Sequence, residues 1–376
     1  MAEFDWVIVG AGFTGATLAE RIASQLDQKV LLIDRRNHIA GNAYDYPGDH
    51  GILVHKYGPH IFHTNSEKVW RYLSRFTAWR PYFHRVLGMI EGNALPLPFN
   101  FDSIVQAFPQ AMADDITAKL LHHYGYGKKV PILKLRESDD PELSFIADYI
   151  YDNVFKNYTR KQWDLLPEDL DPGVTARVPI YLSRDGRYFQ DRWQAMPAEG
   201  YTRMFERLLA HDNITVSLNT EYRDVVDGYA NARIIFTGPI DEYFQYQHGA
   251  LPYRSLRFEI REEKVRYAQS CGTVNYPNEF DFTRITELKH LTGQQVETSL
   301  LMEEYPEAYV VGENEPYYPI PTPATAEALV PYKQLAKELE GKVWFAGRLG
   351  DYAYYNMDQA CARALALFEK AIVPRV

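Results

Sequence analysis

Residues Gly10-Ala11-Gly12-Phe13-Thr14-Gly15 decide the fold expected for this chain. They follow the apolar run Trp6-Val7-Ile8-Val9 and open a segment of helical character. Glycines at this spacing allow a tight turn, close approach of the backbone to a pyrophosphate, and close packing of the helix on its strand. The helix N-terminus then faces the phosphates. The stretch predicts a Rossmann-like nucleotide-binding unit in which Gly10, Gly12 and Gly15 form the turn.

An acidic residue follows at the position where a Rossmann-like unit uses one to bind a ribose. A second apolar run, Val30-Leu31-Leu32-Ile33, ends in Asp34, 24 positions after Gly10, close to the expected spacing of about 20. Its carboxylate can accept hydrogen bonds from a ribose and would repel a 2′-phosphate, which disfavours NADP and leaves NAD and FAD. Arg35, Gly41 and Asn42 follow on the same side and are predicted to bind the cofactor as well.

A second phosphate-binding segment is predicted near the C-terminus. Gly347 and Arg348 follow the apolar run Val343-Trp344-Phe345-Ala346, and a helix is predicted from Met357 to Ala371. These features offer a cation and a helix end for phosphates. Two phosphate-facing helix ends from distant segments suit the long FAD molecule better than NAD.

Composition restricts the possible functions. Of 376 residues, 40 are basic and 50 acidic, for a net charge of −10, which argues against non-specific binding to nucleic acid or anionic membranes. The only cysteines, Cys271 and Cys361, form no CxxC pair, so a disulfide framework and a thiolate metal site are disfavoured and a cytoplasmic location is expected. We find no apolar stretch of about 20 residues and predict no membrane insertion. The 28 tyrosines suggest a sugar or base ligand.

The order of patterns predicts an α/β protein with an FAD-binding domain assembled from discontinuous segments. A strand from Asp5 to Val9, a helix from about Thr14 to Gln25 and a strand from Lys29 to Ile33 start a parallel sheet, to which the buried strand in Ala232 to Gly238 is also assigned. Helical periodicity at Met112 to Tyr124 and Glu142 to Asn157 predicts an inserted helical domain.

Short alternating runs between Arg177 and Arg266, such as Ile214 to Val216 and Leu256 to Ile260, suggest an antiparallel sheet domain. The predicted boundaries are 1–78, 198–240 and 315–376 for the FAD-binding domain, 79–165 for the helical domain, and 166–197 and 241–314 for the substrate-binding sheet domain.

Longer stretches carry a resemblance to a known family. Arg36 to Tyr44 and His55 to Asn65 resemble bacterial UDP-galactopyranose mutases, and similar stretches continue to Gly347-Arg348-Leu349. The resemblance implies an isomerase that interconverts UDP-galactopyranose and UDP-galactofuranose. It also implies that FAD acts in its reduced form, with flavin N5 as the nucleophile at the anomeric carbon, and that an external reductant supplies the electrons. A homo-oligomer is expected.

The resemblance also implies roles for single residues. Arg177 and Arg284 would hold the substrate diphosphate, with Arg177 on a mobile loop, while His60 would lie beside the isoalloxazine and Met357 near its N1 side. The expected substrate-binding residues are His84, Phe155, Tyr158, Trp163, Tyr188, Arg254, Asn275, Tyr318, Tyr354 and Asn356. Judged without the resemblance, Phe155, Tyr158 and Trp163 are typical of a helix-packing cluster, and Arg348 could be a surface ion pair.

Three positions depart from the family pattern. His84 stands where asparagine is expected, Asn356 where many relatives have aspartate, and Ala40 where a glycine precedes Gly41-Asn42. Two other functions stay open: a flavin-dependent oxidoreductase of the amine-oxidase-like class, and a non-catalytic protein that binds flavin or a nucleotide sugar. The reaction product distinguishes them, since only a mutase returns an isomer without consuming oxygen.

Overall fold

The computed structural model describes residues 3–171 and 179–375, and these form two compact units. The first unit comprises the described residues up to Pro81, then Asp191–Ser255, and those from Tyr309 onward. The second unit comprises the described part of Tyr82–Gln190 together with Leu256–Ala308. The helices and the antiparallel strands expected in two separate domains thus share the second unit. Their finer division stays a prediction.

The strands, numbered along the chain, are β1 Trp6–Val9, β2 Val30–Asp34, β3 Asp45–Pro47, β4 Leu53–His55, β5 Phe62–Thr64, β6 Trp79–Pro81, β7 Val86–Ile90, β8 Asn93–Leu97, β9 Lys129–Val130, β10 Ile180–Tyr181, β11 Trp193–Pro197, β12 Ile214–Leu218, β13 Arg233–Phe236, β14 Tyr253–Glu263, β15 Thr273–Asn275, β16 Arg284–Glu287, β17 Ser299–Ala308, β18 Tyr318–Pro319 and β19 Val343–Phe345.

The α-helices are α1 Phe13–Leu26, α2 Glu67–Leu73, α3 Phe101–Ala107, α4 Gln110–Tyr124, α5 Ile132–Leu135, α6 Pro141–Ile150, α7 Asn157–Trp163, α8 Tyr201–Leu208, α9 Tyr222–Val225, α10 Ile240–Tyr243, α11 Leu288–Thr292, α12 Pro323–Glu338, α13 Gly347–Gly350 and α14 Met357–Leu367. Single π-helical turns follow α6 at Tyr151–Lys156 and α14 at Phe368–Ile372. Among the described residues, no helix has the length and apolar character needed to cross a membrane.

A five-stranded parallel sheet organises the first unit, in the order β12-β2-β1-β13-β19. All of β2 and most of β1 are buried, as expected for strands covered on both faces. The predicted strand–glycine–helix–strand start and the buried strands at β13 and β19 are confirmed. Because parallel strands end at one edge, their carboxyl ends bring together residues from the beginning, middle and end of the chain.

The prediction for Ile214 to Val216 was wrong in one respect. These residues belong to β12, which pairs in parallel with β2 and is not part of an antiparallel sheet. The strand lies at the edge of the parallel sheet, and Thr215 and Val216 are exposed. An edge strand needs no continuous apolar run, and the apolar and polar residues of Ile214 to Leu218 alternate in sequence, as they usually do in an antiparallel strand.

Two glycines pack α1 on the sheet. Gly10 has φ +100°, and a Cβ there would lie 2.1 Å from Thr237 Oγ1. A Cβ on Gly15 would lie 1.9 Å from the carbonyl oxygen of Gly10. Both positions therefore require glycine, which lets α1 start directly above the end of β1.

The second unit joins helices to a mainly antiparallel sheet. Its strands follow the order β14-β17-β16-β15-β7-β8, where β14 belongs to this unit from Leu256 onward. Helices α3 to α7 supply a core that includes Ile104, Leu120 and Ile146. The predicted helix from Glu142 to Asn157 is divided: α6 begins after the N-cap Asp140, and the π-helical turn then leads into α7. The antiparallel strand predicted at Leu256 to Ile260 lies within β14.

Candidate functional site

A cavity of the first unit lies at the carboxyl ends of the parallel strands, and we call it the sheet-end pocket. Its space, including the solvent at its mouth, is about 1200 Å³. Its wall includes the predicted cofactor residues Gly10, Gly12, Asp34, Arg35, Gly41, Asn42, His60, Gly347, Arg348 and Met357. Gly15 lies behind the wall, where it packs α1.

The backbone forms a narrow cradle in this pocket. Gly12 precedes α1, and a Cβ on Gly41, where φ is +54°, would lie 2.9 Å from the Cα of Gly12. Within the described residues, no side chain caps the N-terminus of α1. The first N–H groups of the helix are therefore suited to an anion such as a pyrophosphate. This cradle fits the dinucleotide predicted from the sequence.

The Asp34 carboxylate is fixed by the backbone at the end of β2. Its Oδ2 accepts the N–H of Ala11 at 2.8 Å, and its Oδ1 accepts the N–H of Arg36 at 2.9 Å. The side chain is buried at the pocket wall. Each carboxylate oxygen has a further lone pair, so this arrangement fits a ribose hydroxyl.

Arg35 and Arg36 share one carboxylate from a distant segment. Glu315 Oε2 accepts a hydrogen bond from Arg35 at 2.7 Å and from Arg36 at 2.9 Å. Burial opposes the charge on Glu315, but Arg36 and Arg35 hold its pKa below the usual value. Arg36 also donates to Asn42 Oδ1 at 2.9 Å and lies 4.3 Å from the centre of the Tyr57 ring. The Arg35 cation is thus already paired.

Arg348 is held by carbonyl groups. It donates to the carbonyl of Tyr355 at 2.6 and 3.2 Å and to that of Tyr317 at 3.2 Å. Its guanidinium also lies 5.1 Å from the ring of Tyr318 and 5.8 Å from that of Tyr354. Among the described residues it forms no ion pair, so the surface-ion-pair interpretation is wrong. A half-buried cation without a carboxylate partner suits a phosphate.

A second cavity, the aromatic pocket, lies within the second unit. Its space is about 620 Å³, and its wall is Leu97, Val154, Phe155, Tyr158, Thr159, Trp163, Leu170, Tyr188, Asn275 and Pro277. Five of the predicted substrate-binding residues thus meet here. Phe155 also belongs to the helical core, whereas Tyr158 and Trp163 face the cavity. Within the described part of the chain, the buried Oδ1 of Asn275 has no hydrogen-bond partner.

Arg284 stands beside Asn275 in the sheet. Arg284 lies directly opposite Asn275 on one side and Glu304 on the other, so the three side chains share a face. Glu304 is buried and accepts hydrogen bonds from Arg284 Nε at 2.9 Å and from one Nη at 2.8 Å. This pair fixes the plane of the Arg284 guanidinium.

The remaining predicted residues lie in the two units as follows. His84, in the second unit, is buried, and its carbonyl accepts the N–H of Tyr188 at 2.8 Å. Arg254 is opposite Tyr318 at the start of β14 in the first unit. Asn356 caps α14 and lines the sheet-end pocket. Arg177 and its loop lie outside the described residues.

Sequence reasoning missed part of the sheet-end pocket. Residues 220–222 follow β12, residues 237–239 follow β13, and both groups line the wall together with Arg36, Glu242 and Glu315. The rule that ligands bind at the carboxyl ends of parallel strands would have indicated the first two groups. Residues 220–222 lie within the predicted FAD-binding range 198–240, but the alternation at Ile214 to Val216 suggested an antiparallel strand, so no parallel strand end was expected before them.

Comparisons with known proteins agree with this architecture. A family model for UDP-galactopyranose mutase matches residues 153–354, and one for NAD(P)-binding Rossmann-like domains matches residues 8–76. A crystal structure of reduced UDP-galactopyranose mutase has a TM-score of 0.71 at 15% identity, covering 100% of this chain and 95% of that chain. A putrescine oxidase has a TM-score of 0.57 at 12% identity, covering 99% of each chain. These two structures establish the fold alone.

Relatives in sequence are more specific. A protein described as a probable UDP-galactopyranose mutase from Klebsiella pneumoniae is 38% identical over 364 residues, covering 96% of this chain and 92% of that protein. A dTDP-fucopyranose mutase from Escherichia coli is 33% identical over 367 residues, covering 96% of both. A UDP-galactopyranose mutase from Mycoplasma pneumoniae is 32% identical, covering 98% of this chain and 96% of that protein. The chain therefore belongs to the UDP-galactopyranose mutase family of isomerases.

Proposed function

We propose that this protein interconverts UDP-galactopyranose and UDP-galactofuranose with FAD in its reduced form. The observation that carries the proposal is the sheet-end pocket, where a glycine cradle, an uncapped helix start and the carbonyl-held cation Arg348 suit the phosphates of a dinucleotide. Relatives named for this substrate match nearly the whole chain. When bound, the reduced flavin would supply a nucleophile, N5, for the anomeric carbon.

The first unit would hold the cofactor through its backbone and two side chains. The N–H groups at the start of α1 would bind the pyrophosphate, which Gly12 and Gly41 leave room to approach. Asp34 would accept the ribose hydroxyl, and Arg348 would bind a phosphate. Met357 begins α14, so its N–H and the helix dipole would favour negative charge on the flavin.

The second unit would bind the nucleoside. Tyr158 and Trp163 give the aromatic pocket faces for stacking a base and ribose. The Oδ1 of Asn275, which has no partner among the described residues, would accept the imide N–H of uracil. Arg284 would stabilise the negative charge that builds on the β-phosphate as the anomeric bond breaks, with Glu304 holding its plane. We assign the second cation for this charge to Arg177.

The test is chromatography of UDP-galactofuranose incubated with the purified protein under anaerobic conditions, with and without dithionite. We expect UDP-galactopyranose to form only in the reduced sample. In a parallel aerobic incubation, oxygen consumption with an oxidised product would instead identify a flavin oxidase. A flavin spectrum and UDP-sugar binding without any isomer would identify a binding protein.

The Escherichia coli relative favours one second candidate, the corresponding reaction of dTDP-fucopyranose. That substrate adds a methyl group to the base and lacks both the ribose 2′-hydroxyl and the sugar 6-hydroxyl. Since a single methyl group in an apolar pocket is discriminated by about 10- to 200-fold, kcat/KM for both substrates, measured side by side, decides between them. We expect the larger value for UDP-galactose.

A further inference from the structure

The peptide group of His60, in the wall of the sheet-end pocket, is held by two buried side chains. Its N–H donates to His55 Nδ1 at 3.1 Å, and its carbonyl accepts the hydroxyl of Tyr201 at 3.1 Å. His55 is 1% exposed and Tyr201 is 0% exposed. Their rings meet edge to face with centroids 5.8 Å apart. Neither ring is part of the pocket wall. Both contact the wall residue His60, and Tyr201 also packs edge to face against the wall residue Phe13, with ring centroids 6.2 Å apart.

These contacts also determine where the protons lie. A backbone N–H can only donate, so His55 Nδ1 is the acceptor and the proton of the neutral ring lies on Nε2. Burial lowers the pKa of His55 to about 4, which keeps the ring neutral at physiological pH. His60 Nδ1 lies 2.8 Å from the carbonyl oxygen of Gly58, which can only accept. His60 therefore carries a proton on Nδ1, and its Nε2 is the atom that gains or loses one.

The two holding residues are themselves tied to one hairpin. His55 in β4 lies directly opposite Asp45 in β3. The Asp45 carboxylate accepts the N–H of Tyr201 at 2.6 Å and that of Thr202 at 2.8 Å, at the start of α8. Strand pairing in the hairpin and hydrogen bonds to the helix start thus join both residues that hold the His60 turn. Several such links fix a side chain more firmly than a single contact does.

We infer that His55 and Tyr201 are positioning residues: they hold the His60 peptide group where the His60 Nδ1–H meets the Gly58 carbonyl, which makes Nε2 the proton-exchanging atom of the sheet-end pocket. The inference rests on the proposed flavin function. A negative charge in the pocket favours the protonated imidazole. His60 then acts as a proton-holding group whose response to that charge depends on its orientation, and hence on His55 and Tyr201.

The test compares three variants with the unchanged protein. His55→Leu removes the acceptor, Tyr201→Phe removes only the hydroxyl, and His55→Asn keeps an acceptor near the Nδ1 position. Two properties are measured besides turnover: the tautomer of His60 by ¹⁵N NMR of ring-labelled histidine, assigned with His60→Ala, and the midpoint potential of the bound flavin.

We expect His55→Leu and Tyr201→Phe to lose the Nδ1–H signal and to shift the potential in the direction of His60→Ala. Their kcat should fall by about 5- to 30-fold, the loss expected for one or two buried hydrogen bonds. His55→Asn should stay within about twofold of the unchanged protein. In the His60→Ala background, Tyr201→Phe should shift the potential no further.

An unchanged tautomer and potential in Tyr201→Phe would overturn the inference, even if its stability fell, because a merely structural role predicts that result. If His55→Leu fails to fold, Tyr201→Phe decides alone. A purified protein without flavin would refute the proposed function instead. The NMR measurement needs no cofactor and would still decide the tautomer.

Discussion

Replacing Gly12 by alanine should weaken cofactor binding and leave the fold intact. Gly12 has φ −83° and ψ −171°, which alanine adopts without strain, and an added Cβ would meet only the Cα of Gly41, at 3.7 Å. The free energy of unfolding of the flavin-free protein should therefore change by less than about 1 kcal/mol. The methyl group would keep a phosphate away from the helix N–H groups. Losing one charge-assisted hydrogen bond costs about 1.5–3 kcal/mol, so the flavin Kd should rise roughly 10- to 100-fold.

Gly15→Ala is the matched control for this prediction. A Cβ there would lie 1.9 Å from the Gly10 carbonyl oxygen and 3.3 Å from Ile8 Cγ2, so backbone must move, at a cost of about 1–3 kcal/mol or more. Its Tm should fall by several degrees. Flavin titration of the flavin-free protein, followed by fluorescence, gives Kd, and calorimetry gives Tm. The reasoning is refuted if Gly12→Ala binds flavin like the unchanged protein, or if it lowers Tm as much as Gly15→Ala.

Three further changes test other contacts. Arg284→Ala should abolish turnover with flavin still bound. Its free energy of unfolding in urea should fall by about 3–5 kcal/mol, because the buried Glu304 loses its partner. Adding Glu304→Gln to the Arg284→Ala variant should restore stability but not turnover. Asn275→Leu should raise KM for the UDP-sugar roughly 10-fold with little change in Tm, since its Oδ1 has no partner to lose among the described residues; an unchanged KM would exclude a base contact. Burial lowers the pKa of His55 to about 4. Below pH 6.5 the unfolded chain therefore binds more protons at this residue than the folded chain does, and the free energy of unfolding should fall by about 2 kcal/mol from pH 8 to pH 5. Urea unfolding of His55→Asn should show a correspondingly smaller loss.

The fold was predictable where residues close together in sequence determine the local structure. Val7 to Val9, the three glycines and Asp34 act through local rules: a buried apolar run, a backbone that tolerates no Cβ, and a carboxylate at a strand end. The β12 strand was not predictable in this way. Its neighbour β2 lies far from it in sequence, and the apolar and polar residues of Ile214 to Leu218 alternate in sequence as in an antiparallel strand.

In the candidate site, residues that belong to a sequence motif could be predicted, but the residues that pair with them could not. Arg284 could be named from its motif, but its partner Glu304 could not, because the pair depends on the register of two strands. Glu315 pairs with Arg36 across 279 positions, a separation at which no spacing rule applies. The hydrogen bond from Tyr201 to the His60 carbonyl also depends on tertiary packing, so the sequence could not predict it.

Ala40 shows how a departure from the family pattern is absorbed by the structure. Its φ of +72° and ψ of 0° lie in the left-handed region, which explains why a glycine is expected there. An alanine in this conformation is less stable by about 1–2 kcal/mol. The residue is buried, and its N–H donates to the carbonyl of Ala11 at 2.9 Å. This bond ties the Ala40 turn to the glycine cradle and sets Gly41 against Gly12. Since the contact uses only backbone atoms, alanine keeps the shape of the pocket. We therefore expect the departure to lower the stability of the turn without moving the backbone that lines the sheet-end pocket.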